Sequence, residues 1–208
     1  MQLQELFRKV TMTAFVLIFG TLAHGQNVWS FPDFSATQVL ESRKADISMK
    51  VYRSGHSVRV ERSRALSTLY MPSKSMVYNL TTYPDQTHQC VAIKAEQAKM
   101  LPSPLELLEG PDVKRTALGT EVVEGHPCNI ENVVVTRPDG QKIESKVWEA
   151  QDLQGIPVKI ESHIGELTLT ATYRNISIGP PDQKLFTIPE KCTPFEKMWQ
   201  VAEQKTIK

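Results

Sequence analysis

From Asp46 to Ile178 the chain alternates apolar and polar residues with a period of two for most of its length, and that pattern carries most of the predicted structure. Ile47, Met49 and Val51 alternate with Ser48, Lys50 and Tyr52. Beyond Ser54-Gly55, Val58 and Val60 alternate with Arg59 and Glu61. Two such runs joined by a glycine turn predict a β-hairpin with one wet face. Leu66 to Met71, Ser75 to Thr82 and His88 to Lys94 continue the series. The breaks are Pro72-Ser73 and Tyr83-Pro84-Asp85-Gln86, where proline fixes its own φ and aspartate can bond the backbone two residues on. Further strands are expected at Val113 to Leu118, Thr120 to Val123, Cys128 to Thr136, Ile143 to Ala150, Val158 to Ser162 and Glu166 to Ile178. Arg137-Pro138-Asp139-Gly140 is the clearest hairpin turn among them.

The period changes in three places. Phe34, Val39 and Leu40 fall loosely at helical spacing with Ser35 as a cap, predicting a short helix over Phe34 to Ala45. Ala95 to Leu101 is rich in helix formers, Pro102 and Pro104 break it, a helical turn follows at Leu105 to Glu109, and Gly110-Pro111 closes the excursion. Phe195, Met198, Trp199 and Ala202 stand at i, i+3, i+4 and i+7, predicting a C-terminal helix near 194–206 with a one-sided apolar stripe. Roughly ten strands joined by hairpin turns, with few helices, place the chain in a mainly β (α+β) class. The expected form is one large antiparallel sheet, curled into an incomplete β-barrel, with short helices covering its concave face. Where the helices leave that face uncovered, an apolar cavity remains.

The N-terminal stretch is patterned differently. Arg8 and Lys9 precede a mostly apolar run from Val10 to Leu22, and Ala23-His24-Gly25 offers small residues at a cleavage point. Residues 1–25 therefore read as a secretory signal peptide, leaving 26–208 as a single domain starting near Gln26. The apolar run is roughly half what a bilayer requires. An uncleaved single-pass anchor is the competing reading. The first cysteine is Cys90, so no lipid-anchoring cysteine sits at the cleavage point, and the expected location is periplasmic or secreted. Removing Arg8 and Lys9 from 24 basic residues and Glu5 from 23 acidic ones leaves 22 of each. With no basic block interleaved with aromatics, nucleic acid is not an expected partner.

Several short segments occur in a suggestive order. Lys50-Val51-Tyr52-Arg53-Ser54-Gly55 leads into Val58-Arg59-Val60-Glu61. Gly119-Thr120-Glu121-Val122-Val123-Glu124-Gly125-His126-Pro127-Cys128 follows, then Pro138-Asp139-Gly140, Val147-Trp148-Glu149-Ala150 with Asp152-Leu153, Ile156-Pro157-Val158-Lys159-Ile160, and last Leu185-Phe186 with Pro189. Over roughly Asp46 to Pro189 the chain resembles the exported bacterial proteins of the lipoprotein-carrier superfamily, the LolA-like half-barrels, and especially their periplasmic relatives. The resemblance implies an incomplete barrel wrapped around helices that holds an acyl chain or another apolar ligand and performs no chemistry.

Three cysteines, Cys90, Cys128 and Cys192, meet an oxidising compartment. Cys90 and Cys128 lie on predicted strands that flank the proline-broken excursion, so these two are the expected disulfide and Cys192 the leftover thiol. Cys128 with Cys192 is the competing pair. The same strands carry His88 and His126, two residues before Cys90 and Cys128, and neighbouring strands would bring all four side chains onto one face. H-x-C is not a usual ligand spacing and Pro127 distorts its strand, so no metal is expected and the histidines read as surface residues. No nucleophile elbow or glycine-rich phosphate loop occurs, and no enzyme activity or cofactor is expected. Glu121, Glu124 and Glu131 read as solvated strand residues, and Trp148 as a core or cavity-wall residue. Asn79-Leu80-Thr81 and Asn175-Ile176-Ser177 match the glycosylation pattern by chance. The expected function is non-catalytic binding of a lipid acyl chain or other apolar molecule. The alternative is a structural envelope protein with a filled barrel that docks another envelope protein.

Overall fold

Two meanders running toward each other build a single sheet. The first consists of β1 (Phe34–Glu41), β2 (Ile47–Ser54), β3 (Ser57–Glu61), β4 (Leu66–Met71), β5 (Met76–Thr82) and β6 (His88–Lys94). The second consists of β7 (Val113–Val123), β8 (His126–Thr136), β9 (Lys142–Ala150), β10 (Pro157–Ile164) and β11 (Leu167–Ile178). They meet where β11 lies antiparallel to β1. A two-residue β12 (Thr193–Pro194) adds to β6 in parallel, so the 12-stranded order runs β12-β6-β5-β4-β3-β2-β1-β11-β10-β9-β8-β7. The sheet is curled and unclosed. The structure, a computed structural model, describes residues 31–41, 46–98, 103–108, 113–136, 140–164 and 167–198. The expected signal peptide, the Arg137 to Asp139 part of the hairpin turn, and Trp199 and Ala202 of the C-terminal stripe lie outside them.

Phe34 to Glu41 is a strand and not the expected helix. Phe34, Ala36 and Gln38 are buried at a spacing of two while Ser35 and Thr37 between them are half-buried. The alternation is hidden in the sequence because polar Gln38 takes an inward position. Pairing with β2 on one side and β11 on the other decides the backbone. The expected strands over 113–118 and 120–123 are one strand, β7, in which Leu118 is an extra residue between Ala117 and Gly119. The excursion after β6 forms short 3-10 turns at Ala95–Gln97 and Pro104–Leu108. A helical turn begins at 195–198.

Residues 95–112 must carry the chain from β6 to β7, ten inter-strand steps apart. That is ~48 Å along the sheet at ~4.8 Å per step. Those residues reach at most ~60 Å when fully extended, and less with 3-10 turns among them. The short route is the chord across the concave side, and the core records it. Leu105 and Leu108 pack at 0% and 1% exposure against Phe34, Val51, Val60, Val147, Ile160 and Tyr173 of the inner sheet face. The second crossing, from β11 to β12, runs over the opposite face. Phe186 is buried there against Leu69, Tyr78 and Cys90, and Arg59 Nη1 donates to the Leu185 carbonyl at 3.0 Å.

Candidate ligand-binding face

The inner face carries the apolar residues of the period-two runs, and the two ends of the half-barrel treat them differently. At the end holding the β2–β3 and β9–β10 turns, Phe31 is 4% exposed with the Arg53 guanidinium 5.0 Å from its ring centre, and Leu153 packs against the same core. At the other end, where β1 passes to β2 and β3 to β4, Ile47 and Leu66 are 50% and 47% exposed on that face. Leu40, Val113 and Val135 stand half-buried near it. Among the described residues, apolar side chains are thus packed at one end of the inner face and left half-exposed at the other.

Between the mouths the covering segment is fastened by polar contacts. Ser103 Oγ donates to Gln38 Oε1 at 3.1 Å, lies 3.2 Å from the Tyr173 hydroxyl and accepts the Leu105 N–H at 3.3 Å. The Gln38 Nε2 donor is buried with no partner among the described residues, a cost of about 1–3 kcal/mol. Toward β7, Arg115 Nη1 holds two carboxylates, Glu131 at 2.6 Å and Glu149 at 2.7 Å. Glu131 is therefore a paired inner-face group and not a solvated one.

Burial pushes the Glu149 carboxyl above the ordinary glutamate value, Glu131 adds to the shift, and Arg115 opposes it. A carboxyl raised on folding binds its proton more tightly in the folded chain, so its contribution to stability falls as pH rises through the window just above the ordinary value. The expected result is that Glu149→Gln removes this slope. The difference in unfolding free energy between wild type and variant should shift toward the wild type as pH is lowered into that window, as measured by urea titration. A difference independent of pH contradicts the shift.

The outer face of β8–β10 carries a second cluster. Trp148, 4% exposed, packs with Cys128, Ile130, Ala150 and Val158, and its Nε1–H donates to Glu121 Oε2 at 2.8 Å. The Lys146 and Lys159 ammonium groups each stand 4.6 Å from its ring centre. Trp148 is thus a core residue of the outer face, and Glu121 is its partner. Glu124, also expected to be solvated, is held by Arg174 at 2.9 and 3.1 Å.

Cysteine pairing differs from the sequence expectation. Cys90 is joined to Cys192, with Cα atoms 4.5 Å apart, and Cys128 is a buried thiol. β6 and β8 lie on either side of the excursion in sequence but stand nine strand steps apart in the sheet, with Leu105 and Leu108 of the excursion packed on the inner face between them. The outer crossing returns the C-terminal segment to β6, where Thr193 lies beside Val91 and so sets Cys192 next to Cys90. Burial pushes the Cys128 thiol above its ordinary value, helped by Asp152 and Glu121 and opposed by a hydrogen bond involving the Val123 backbone. The same separation keeps the His88–Cys90 and His126–Cys128 pairs in opposite halves of the sheet. Among the described residues no group of three or more His, Cys, Asp or Glu is arranged to hold a metal ion. His126 Nδ1 lies instead 2.9 Å from Asp152 Oδ2.

A cavity of about 380 Å³ at the closed end is lined by His126, Leu153, Tyr173, Arg174 and Ile176. Its charged groups are spent on the His126–Asp152 and Arg174–Glu124 contacts. Another of about 240 Å³ lies on the outer face beside Arg59, Glu61, Leu80, His88 and Pro189. No helix among the described residues is long and apolar enough to cross a membrane.

No family model and no curated protein matches the chain. Among solved structures the chain is similar to PNGF-II, at 12% identity and a TM-score of 0.43, over 78% of this chain and 31% of that one. It is similar to the MucA/MucB complex of Pseudomonas aeruginosa at 14% identity and a TM-score of 0.42, over 77% of this chain and 57% of that one. For the Mycobacterium tuberculosis lipoprotein LppX the figures are 15% and 0.39, over 71% and 88%. The chain thus spans under a third of PNGF-II and little more than half of the matched chain of the MucA/MucB complex.

Proposed function

We propose that this protein is a non-catalytic binding protein of the cell envelope that holds a lipid acyl chain, or another apolar ligand of similar width, at the open mouth of the half-barrel. The observation that carries the reading is the contrast between the two mouths. Leucine and isoleucine at roughly half exposure on an otherwise buried face leave apolar area in water, and covering it gains about 25 cal/mol per Å². The ligand lies between Leu66 and Ile47 on one side and the cover formed by Leu105 and Leu108 on the other. Export as a protein cleaved before Gln26 belongs to the same proposal, and N-terminal sequencing of the exported protein tests that part.

Extraction of the protein from its native source and mass spectrometry of bound lipid is the direct test. In a binding assay with an apolar fluorescent probe, Leu66→Asp is expected to weaken affinity at least tenfold while leaving the unfolding transition close to wild type, since the side chain is half-exposed. An unliganded native protein that also fails to bind the probe would sink the proposal.

One observation favours a second reading, a partner-binding protein with a filled barrel. Leu105, Leu108 and Phe31 already occupy the middle and the closed end of the inner face. In that reading Ile47 and Leu66 form part of a protein interface, and native extraction yields a bound protein with no lipid.

A further inference from the structure

β7 spans 11 residues at an edge of the sheet, with β8 on one side and no strand on the other among the described residues. It contains no proline, and its Leu118 and Val122 side chains are 55% and 70% exposed. A long strand with one free row of N–H and C=O groups is a template for another strand.

The extra residue in β7 decides which strand fits. Before it, Val113, Arg115 and Ala117 stand opposite Val135, Val133 and Glu131 and point to the inner face, while Lys114 and Thr116 point outward. After it the parity flips. Gly119 and Glu121 stand opposite Ile130 and Cys128 on the outer face, and Thr120 and Val122 lie on the inner one. Two copies of β7 laid antiparallel about a twofold axis between Ala117 and Leu118 therefore pair like face with like face along the strand. That register sets Lys114 against Glu121 on the outer face, Val113 against Val122 on the inner face, and Leu118 against Ala117 at the axis. By symmetry each match occurs twice, so opposite charges meet and the exposed apolar side chains are covered. A slip of two residues either way sets Lys114 against Gly119 or Val123 and loses the charge match.

We propose that β7 is a homodimerisation edge, pairing with β7 of a second copy of this chain in the register Lys114–Glu121 and Val113–Val122, so that two sheets join into one. The inference is independent of what occupies the inner face.

Sedimentation velocity on the purified protein is expected to give twice the monomer mass, with dissociation favoured by added salt. Lys114→Glu and Glu121→Lys should each weaken the dimer at least tenfold, because each sets like charges opposite one another. Mixing the two variants should restore it, since both ion pairs then re-form across the mixed interface. Glu121 also accepts from Trp148, so a second test avoids that position: the doubly substituted Val113→Cys, Val122→Cys protein should oxidise to a covalent dimer, and Val122→Cys alone should not. A protein that stays monomeric at all concentrations, a dimer indifferent to Lys114→Glu, or failure of the paired cysteines to cross-link overturns the proposal.

Discussion

Replacing Cys192 by serine should lower the stability of the folded protein by about 5 kcal/mol, the largest effect expected of any single side chain here. The bridge to Cys90 spans 102 residues, and a cross-link of that span restricts the unfolded chain by roughly that amount. Against a net stability of about 5–15 kcal/mol for an ordinary domain, the loss is a large fraction. The bridge also holds the outer crossing in place, since β12 contributes two residues of pairing to β6. Urea unfolding of wild type and variant without reductant measures the difference. Non-reducing peptide mapping should join the Cys90 and Cys192 peptides and leave Cys128, fully buried, open to alkylation only after denaturation. A map that joins Cys128 to either partner would contradict the sheet order itself.

Leu105→Ala should cost about 3 kcal/mol, because the side chain is fully buried between the crossing segment and the sheet. The substitution leaves a void in the cover of the inner face, so the same variant should bind an apolar probe more tightly than wild type even as it unfolds at lower denaturant. Chemical denaturation and probe titration on one preparation separate the two effects. A loss under ~1 kcal/mol would mean that the crossing segment is not packed on the sheet and that the closed middle of the half-barrel is not closed.

Much of the strand content was legible because period-two alternation survives wherever one sheet face is dry. Val51, Val58, Val60, Leu69, Val147 and Ile160 all lie in runs that the pattern marks as strands, and all are at most 1% exposed. The pattern failed where a polar residue turned inward. Gln38 broke the alternation of β1 and left a false helical spacing, and Arg115, Glu131 and Glu149 formed an ionic group on the inner face that no periodicity announces. Trp148 read as core, yet its surroundings on the outer face depended on Glu121 and Lys159 from other strands, beside Lys146 of its own.

Sequence alone determined that this is a curled antiparallel sheet with apolar side chains on a protected face, because side-chain alternation is a local property fixed within each strand. Only the tertiary structure decided that β6 and β7 are far apart, that Cys90 meets Cys192, that the histidines stand in opposite halves, and that Phe31 is buried at one end of the inner face while Ile47 and Leu66 stand half-exposed at the other. Those outcomes follow from the routes of the two crossings, one over each face of the sheet. A crossing is long-range, and its local residues record that the chain leaves a strand but not the strand to which it returns.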